Sequence, residues 1–284
     1  MVDCIIIGTG AAGVSAALTL KALKKNFIWI GSKNLSPKIR SAEKIANYPG
    51  LPQVSGEEMT AAFLKQIEGE EIEITEGRVN GVYPAEGGFN VTCGGDVYES
   101  KTVILATGVE AFKPVKGESE FLGKGVSYCA VCDGFLYKDK AIAVVIESGE
   151  EAEEVKLLAQ YARTVYLFVL KGGAEVDLEN VKKIDGRVSE IKGDMRVRSV
   201  VYDGTELPVD GVFVLKQAVA ADTLVYGLKT EEGRVVVDRD CATNVKGVFA
   251  AGDCTGRPFQ YAKAAGEGNV CAYSVNNYLN ALKK

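Results

Sequence analysis

The 284-residue chain contains no histidine. That absence excludes imidazole acid–base catalysis, Ser-His and Cys-His nucleophiles and the usual zinc hydrolases, and leaves proton transfer to carboxylates, tyrosines or thiols. Its longest apolar runs are strand-sized, too short to span a bilayer. The first expected strand, Cys4-Ile-Ile-Ile7, begins so close to Met1 that there is no room for a charged leader and an apolar signal segment, and a cytoplasmic location is expected. With a net charge of −5 and a pI near 5.2 there is no global basic footprint, so neither nucleic acid nor an anionic membrane is an expected partner. The seven cysteines, an odd number with one close pair, do not form a secreted disulfide framework. A zinc site would need two more ligands beside that pair, yet Cys4, Cys93, Cys241, Cys254 and Cys271 form no second close pair, and no metal is expected. These five read as small buried hydrophobes. With 47% hydrophobic and 25% charged residues, the composition is that of an ordinary globular chain long enough for two modest domains.

The close pair itself is Cys129-Ala-Val-Cys132-Asp133. Two thiols at this spacing can close a small reversible disulfide, and an acid beside them can move a proton. Near the start of the chain, Gly8-Thr-Gly10-Ala11-Ala12-Gly13 follows an apolar strand and leads into a helix on which Ala12, Ala16, Leu20 and Leu23 recur at helical spacing. This is a dinucleotide-binding fingerprint. Gly8 permits the tight turn, Gly10 lets a pyrophosphate approach the backbone, and Gly13 lets helix and strand pack closely, with the helix N-terminus facing the phosphates. After the next strand, Phe27 to Ile30, the acid expected to hold a ribose is replaced by Gly31-Ser32, which weakens a reading as an NAD site more than one as an FAD site. Two further apolar strands end in small-residue turns, Val103-Ile-Leu-Ala106-Thr107-Gly108 and Gly247-Val-Phe-Ala-Ala-Gly252-Asp253. With the first finger, in this order, they resemble the flavin domain of two-dinucleotide-domain flavoproteins, which implies that the small-residue helix after the second, from about Lys263 through Gly268, aims its positive end at the flavin ring.

Taken with Asn47-Tyr-Pro-Gly50, the Cys-Ala-Val-Cys-Asp-Gly-Phe run and Gln260 before Ala-Ala-Gly, these motifs resemble the low-molecular-weight thioredoxin reductases over nearly the whole chain. The resemblance implies an α/β fold of two Rossmann-like three-layer domains. A discontinuous FAD domain, residues 1–111 and 218–284, carries an inserted and shortened disulfide domain, residues 112–217, with hinges near Ala111–Pro114 and Leu215–Gln217. It implies an FAD site built from Gly8, Gly10, Ala11, Ala12 and Gly13, from Gly31, Ser32, Lys38, Ile39, Asn47 and Val79, from Ala106, Thr107 and Gly108, and from Gly252, Asp253, Gln260, Tyr261 and Ala262. By the same resemblance Asp253 bonds the ribityl chain, Cys132 faces the flavin, Cys129 attacks the thioredoxin disulfide, and Asp133 is the proton donor and acceptor. A homodimer is also implied.

Departures from the family pattern bear on the electron source. Strand Ala141–Ile146 leads to Glu147-Ser-Gly149-Glu-Glu-Ala152, so a carboxylate occupies the first glycine position of the expected nicotinamide finger. Glu150, Glu151, Glu153 and Glu154 follow in the first helical turns, satisfying the helix dipole internally. After the strand expected at Val165–Leu170, the family's His-Arg-Arg clamp for a 2′-phosphate is missing and Lys171 is the one cation. Ser36-Pro37-Lys38-Ile39 replaces a flavin-contacting Gly-Gly-Gln-Leu segment and Phe259 replaces an Arg, while Lys33, Lys38, Arg40 and Lys44 gather in one short stretch suited to an acidic protein. The spoiled finger resembles the ferredoxin-dependent flavin thioredoxin reductases, in which two reduced ferredoxins supply the electrons. The alternatives are an NADPH-dependent thioredoxin reductase with a degenerate finger and a non-catalytic flavin and disulfide sensor.

Overall fold

The computed structural model describes residues 1–40, 42–108, 115–118, 120–128, 130–215 and 221–282, of Cys132 and Glu150 only the backbone. The chain opens with β1 (Val2–Ile7), α1 (Ala11–Ala22), β2 (Phe27–Gly31), α2 (Pro37–Arg40), α3 (Gly56–Gly69), β3 (Thr75–Glu76), β4 (Val79–Ala85), β5 (Gly88–Cys93) and β6 (Asp96–Leu105). A middle stretch holds β7 (Val126–Ser127), α4 (Ala130–Asp133), β8 (Ala141–Ile146), α5 (Ala152–Tyr161), β9 (Thr164–Val169), β10 (Val181–Lys183), β11 (Val188–Gly193), β12 (Val197–Tyr202), β13 (Thr205–Pro208) and β14 (Gly211–Leu215). The chain ends with α6 (Ala221–Leu224), β15 (Thr230–Glu231), β16 (Arg234–Val235), β17 (Val248–Ala250) and α7 (Tyr261–Ala281). It divides into two compact units, Met1–Val109 with Ala218–Lys284, and Glu110–Gln217.

In the first unit β3, β2, β1, β6 and β17 run parallel, and the N-terminal half of β6 continues antiparallel into β5 and β4. Side chains of β1 alternate between two cores, as the pleat requires. Cys4 and Ile6 join Ala12, Ala16 and Leu20 of α1 and Cys271, Ala272 and Val275 of α7, whereas Ile5 and Ile7 join Val79, Val82, Phe89 and Val91 of β4 and β5. Because both faces are covered, the strand is a continuous apolar run rather than an alternating one. Each fully buried isoleucine contributes on the order of 2 kcal/mol by removal from water. Helix α1 stops at Ala22, one residue short of the last apolar position in its pattern; Leu23 is its C-cap. Helix α3 starts at a capping box in which Ser55 Oγ accepts the Glu58 N–H and the Glu58 carboxylate accepts the Ser55 N–H.

The second unit repeats the plan. A parallel sheet, β10-β9-β8-β14-β7, has α5 on one face and the antiparallel sheet β11-β12-β13 on the other. Ile142, Val144 and Ile146 of β8 pack with Val155 and Leu158, and Ala143 and Val145 pack with Val188, Ile191 and Val200. Both units are therefore three-layer α/β domains. Strand β9 spans Thr164–Val169, one residue earlier than its apolar run suggests, because its pairing starts at Thr164 opposite Ala141 and ends at Val169 opposite Ile146, the last residue of β8. No helix among the described residues is long and apolar enough to cross a membrane.

Candidate functional site

The turn between β1 and α1 is shaped by two glycines. Gly8 has φ +108°, and a Cβ there would overlap the Ala106 carbonyl oxygen; a Cβ on Gly13 would overlap the Gly8 carbonyl oxygen. Trp29 Nε1 donates to that same Gly8 oxygen at 2.9 Å, pinning the loop to β2. Helix α1 opens at Gly10 with no side-chain cap and no acid in its first turn, and a Cβ on Gly10 would meet no atom within 4 Å. The first N–H groups of this twelve-residue helix thus have no side-chain cap, and they carry the positive end of its dipole. Ala11 and Ala12 are buried immediately behind them.

The other residues expected at this site come from scattered positions. Gly31 approaches Thr9 closely at φ +155°, and Ser32 Oγ accepts the Asn34 N–H at 3.2 Å. Asn47 Nδ2 donates to Gln260 Oε1 at 2.6 Å, and Tyr261 OH donates to the Lys38 carbonyl oxygen at 3.1 Å, so the loop after β2 is tied to the start of α7. Ala262 lies exposed on the first turn of that helix. Ile39 and Val79 are buried in the two cores, which leaves only their backbones to contact a ligand. Ala106 is buried, Gly108 turns the chain at φ +69°, and between them Thr107 Oγ1 is buried with no hydrogen-bond partner among the described residues.

Sequence reading missed the device that holds the Gly252–Thr255 turn. Lys263 Nζ donates to Gly252 O at 2.7 Å, Thr255 Oγ1 at 2.8 Å and Gly256 O at 2.9 Å, and pairs with Glu267 at 2.9 Å. Glu267 in turn accepts the Gly252 N–H at 2.8 Å and the Thr255 hydroxyl at 2.9 Å. Its only trace in sequence is a Lys and a Glu four apart on α7. Asp253, half-buried on the turn, has its carboxyl raised above the ordinary range by burial, against the opposing pull of Lys38, Lys263 and Arg234. An uncapped helix N-terminus, a glycine with clear space above it and an orphaned hydroxyl fit FAD.

The corresponding turn of the second unit is closed. Glu151 Oε2 accepts the Ser148 N–H at 3.0 Å and reaches Ser148 Oγ at 3.5 Å, and its side chain is buried. Glu147, with 12% of its side chain exposed, pairs with Lys171 at 3.2 Å. Glu153 and Glu154 complete an acidic first turn on α5. The chain's own carboxylates thus occupy the pole that α1 leaves free.

Of the thiol motif, Cys129 lies outside the described residues, and Cys132 is placed by its backbone in the one-turn helix α4. Asp133, also on α4, accepts a 2.6 Å hydrogen bond from Ser127 Oγ at the end of β7, and Ser127 is buried. Ser127 was not singled out in the sequence, since nothing in its spacing marks it. Tyr137, on the turn after α4, has its phenol raised first by burial and then by the Asp133 charge. The expected hinges at 111–114 and 216–217 lie outside the described residues, Leu215 closing β14. The remaining five cysteines are all free and buried.

The sequence profile of the pyridine nucleotide-disulphide oxidoreductase family matches residues 2–149 and 175–268. The chain belongs to this family. It is 33% identical over 304 residues to a thioredoxin reductase of Listeria innocua, covering 99% of this chain and 95% of the relative, and 36% identical over 311 residues to one of Helicobacter pylori, covering 98% and 99%. Among solved structures, it is similar to a ferredoxin-flavin thioredoxin reductase from Clostridium acetobutylicum, with a TM-score of 0.94 and 39% identity over 99% of this chain and 98% of that one. The chain is a thioredoxin reductase-like flavoenzyme with FAD as its cofactor.

Proposed function

We propose that the protein reduces the disulfide of thioredoxin through FAD and a Cys129–Cys132 dithiol, with electrons from reduced ferredoxin rather than a nicotinamide. The observation that carries the choice of donor is the Glu151 carboxylate on the Ser148 N–H, reinforced by the Glu147–Lys171 pair. A pyrophosphate recognised by backbone needs close approach and a complementary charge, and this turn offers neither. The likeness to the Clostridium ferredoxin-flavin enzyme supports the same reading.

FAD, when bound, accepts electrons one at a time and delivers them in pairs, which suits a one-electron donor and a two-electron disulfide. The Cys129 thiolate attacks one sulfur of the thioredoxin disulfide, forming a mixed disulfide and releasing the other sulfur as a thiolate. Cys132 then attacks Cys129 Sγ, releasing the second substrate thiolate and closing Cys129–Cys132. Asp133, held by Ser127, gives a proton to the departing thiolate and takes one back when the pair is reduced again. Val131, Phe135 and Leu136 expose apolar side chains beside the pair, a surface for a protein substrate. In this reading residues 1–111 and 218–284 hold FAD, residues 112–217 carry the dithiol, and the working unit is a cytoplasmic homodimer.

Stopped-flow reduction of the oxidised holoenzyme by NADPH, NADH and reduced ferredoxin tests the proposal. Ferredoxin alone should bleach the flavin absorbance and sustain multiple turnovers of thioredoxin. Bleaching by NADPH at a comparable rate sinks the donor assignment, and failure to reduce thioredoxin from a reduced flavin sinks the catalytic one.

A further inference from the structure

We infer that Arg234, Phe259 and Arg257 form the docking surface for an acidic electron-carrier protein, a reading that rests on the proposed donor and names where it lands. Both guanidinium groups lie over the Phe259 ring, Arg234 at 5.0 Å and Arg257 at 5.4 Å from its centroid. Phe259 is 37% exposed and Arg257 is exposed. Neither guanidinium closes a contact ion pair with a carboxylate among the described residues. Glu231, an acid on the Arg234 hairpin, is engaged by Lys229 at 3.7 Å. A cation–π contact holds a guanidinium on the ring face without consuming its N–H donors, which stay available to carboxylates.

Position makes this surface useful. Phe259 immediately precedes Gln260 and Tyr261, which tie α7 to the loop after β2. Arg234 lies against the turn that carries Asp253: a Cβ on Gly256 would sit 3.8 Å from Arg234 Cγ, and the Arg234 charge acts on the Asp253 carboxyl. The stack therefore borders the residues assigned to the flavin end of the FAD site. The chain is net negative, so an acidic partner approaches productively only where local cations overcome the overall repulsion. A carrier docked here would bring its iron–sulfur cluster to the cofactor.

The test compares native holoenzyme with Arg234→Glu/Arg257→Glu, Arg234→Lys/Arg257→Lys and Phe259→Ala, each checked for FAD content and for reduction by dithionite. The second-order rate of flavin reduction by reduced ferredoxin should fall at least tenfold in the Glu pair at low ionic strength, the gap narrowing as salt screens the patch. The Lys pair should retain the salt slope with a smaller loss, and Phe259→Ala should lie between. Thioredoxin reduction from chemically pre-reduced enzyme should stay at the native rate. A Glu pair that keeps the native ferredoxin rate and salt slope overturns the docking surface alone, whereas a native enzyme that ferredoxin fails to reduce overturns the donor reading and the surface with it. If the Glu pair loses FAD, Arg257→Glu by itself is judged by the same criterion.

Discussion

Glu151 Oε2 accepts the Ser148 backbone N–H at 3.0 Å, so the turn after β8 carries an anion supplied by the chain itself. The turn after β1 carries none, and α1 begins there with an uncapped glycine. One βα plan is thus written twice, once open to a pyrophosphate and once closed to it.

Reopening the closed turn takes more than one change. Glu147→Gly removes the Lys171 partner and one charge, but leaves Glu151 on Ser148 and no cluster of cations after β9 to bind a 2′-phosphate. Flavin bleaching by NADPH should therefore stay negligible in this variant. Rapid bleaching by NADPH in the native protein would remove the physical basis of the donor assignment.

Cys129→Ser and Cys132→Ser should each abolish thioredoxin turnover while leaving FAD bound, because the pair lies outside the glycine turn proposed to hold the cofactor. Asp133→Asn should slow disulfide interchange by on the order of 10²-fold, the usual worth of a positioned acid. Ser127→Ala, which removes the 2.6 Å bond that orients Asp133, should cost about tenfold, as one lost hydrogen bond of roughly 1.4 kcal/mol implies. Interchange rates from single-turnover mixing with oxidised thioredoxin decide all four, and unchanged rates in Asp133→Asn would reduce that residue to a turn role.

Lys263→Met strips three hydrogen bonds from the Gly252–Gly256 turn and leaves Glu267 without its cation. At about 1.5–3 kcal/mol for a hydrogen bond to a charged group, losing even one in net terms weakens FAD binding roughly 10- to 100-fold. Fluorescence titration of the apoprotein with FAD measures this. An unchanged affinity with intact helix content would show that the turn holds its shape without the lysine.

The glycine finger was legible because two of its glycines answer local steric demands: Gly8 and Gly13 meet carbonyl oxygens that tolerate no Cβ. The acids after β8 were legible for a similar reason, since charge at a helix N-terminus is a local effect. Their division of labour was not: Glu147 turns to Lys171 and Glu151 caps the turn, a choice made by side-chain geometry. The partners Ser127 to Asp133 and Lys263 to the Gly252 turn were also invisible, because a polar residue's bonding partner is set by packing of elements rather than by its neighbours in sequence. Ile39 and Val79 mark the converse limit, as positions matched to a cofactor motif turn out to spend their side chains on the core.

The buried thiols set an alkaline limit on stability. Burial pushes the Cys254 thiol up to about 11 and the Cys4 thiol up to about 12, from an unfolded value of 9.0. Above pH 9.0 the unfolded chain releases these protons while the folded one keeps them, so folding becomes proton-linked and stability falls as pH rises. The contribution is fully present below the unfolded value and is lost on the way up to the folded ones. Cys254 alone accounts for about 1.4 kcal/mol per pH unit over that window. Cys254→Ala, which also gives up the thiol's contacts to Ala251 O and Leu105 O, should lower the plateau at pH 8 yet flatten the decline above pH 9. Urea unfolding midpoints from pH 8 to 11 under reducing conditions read both effects, and parallel curves for native and variant protein would show that this thiol ionises as readily in the fold as out of it.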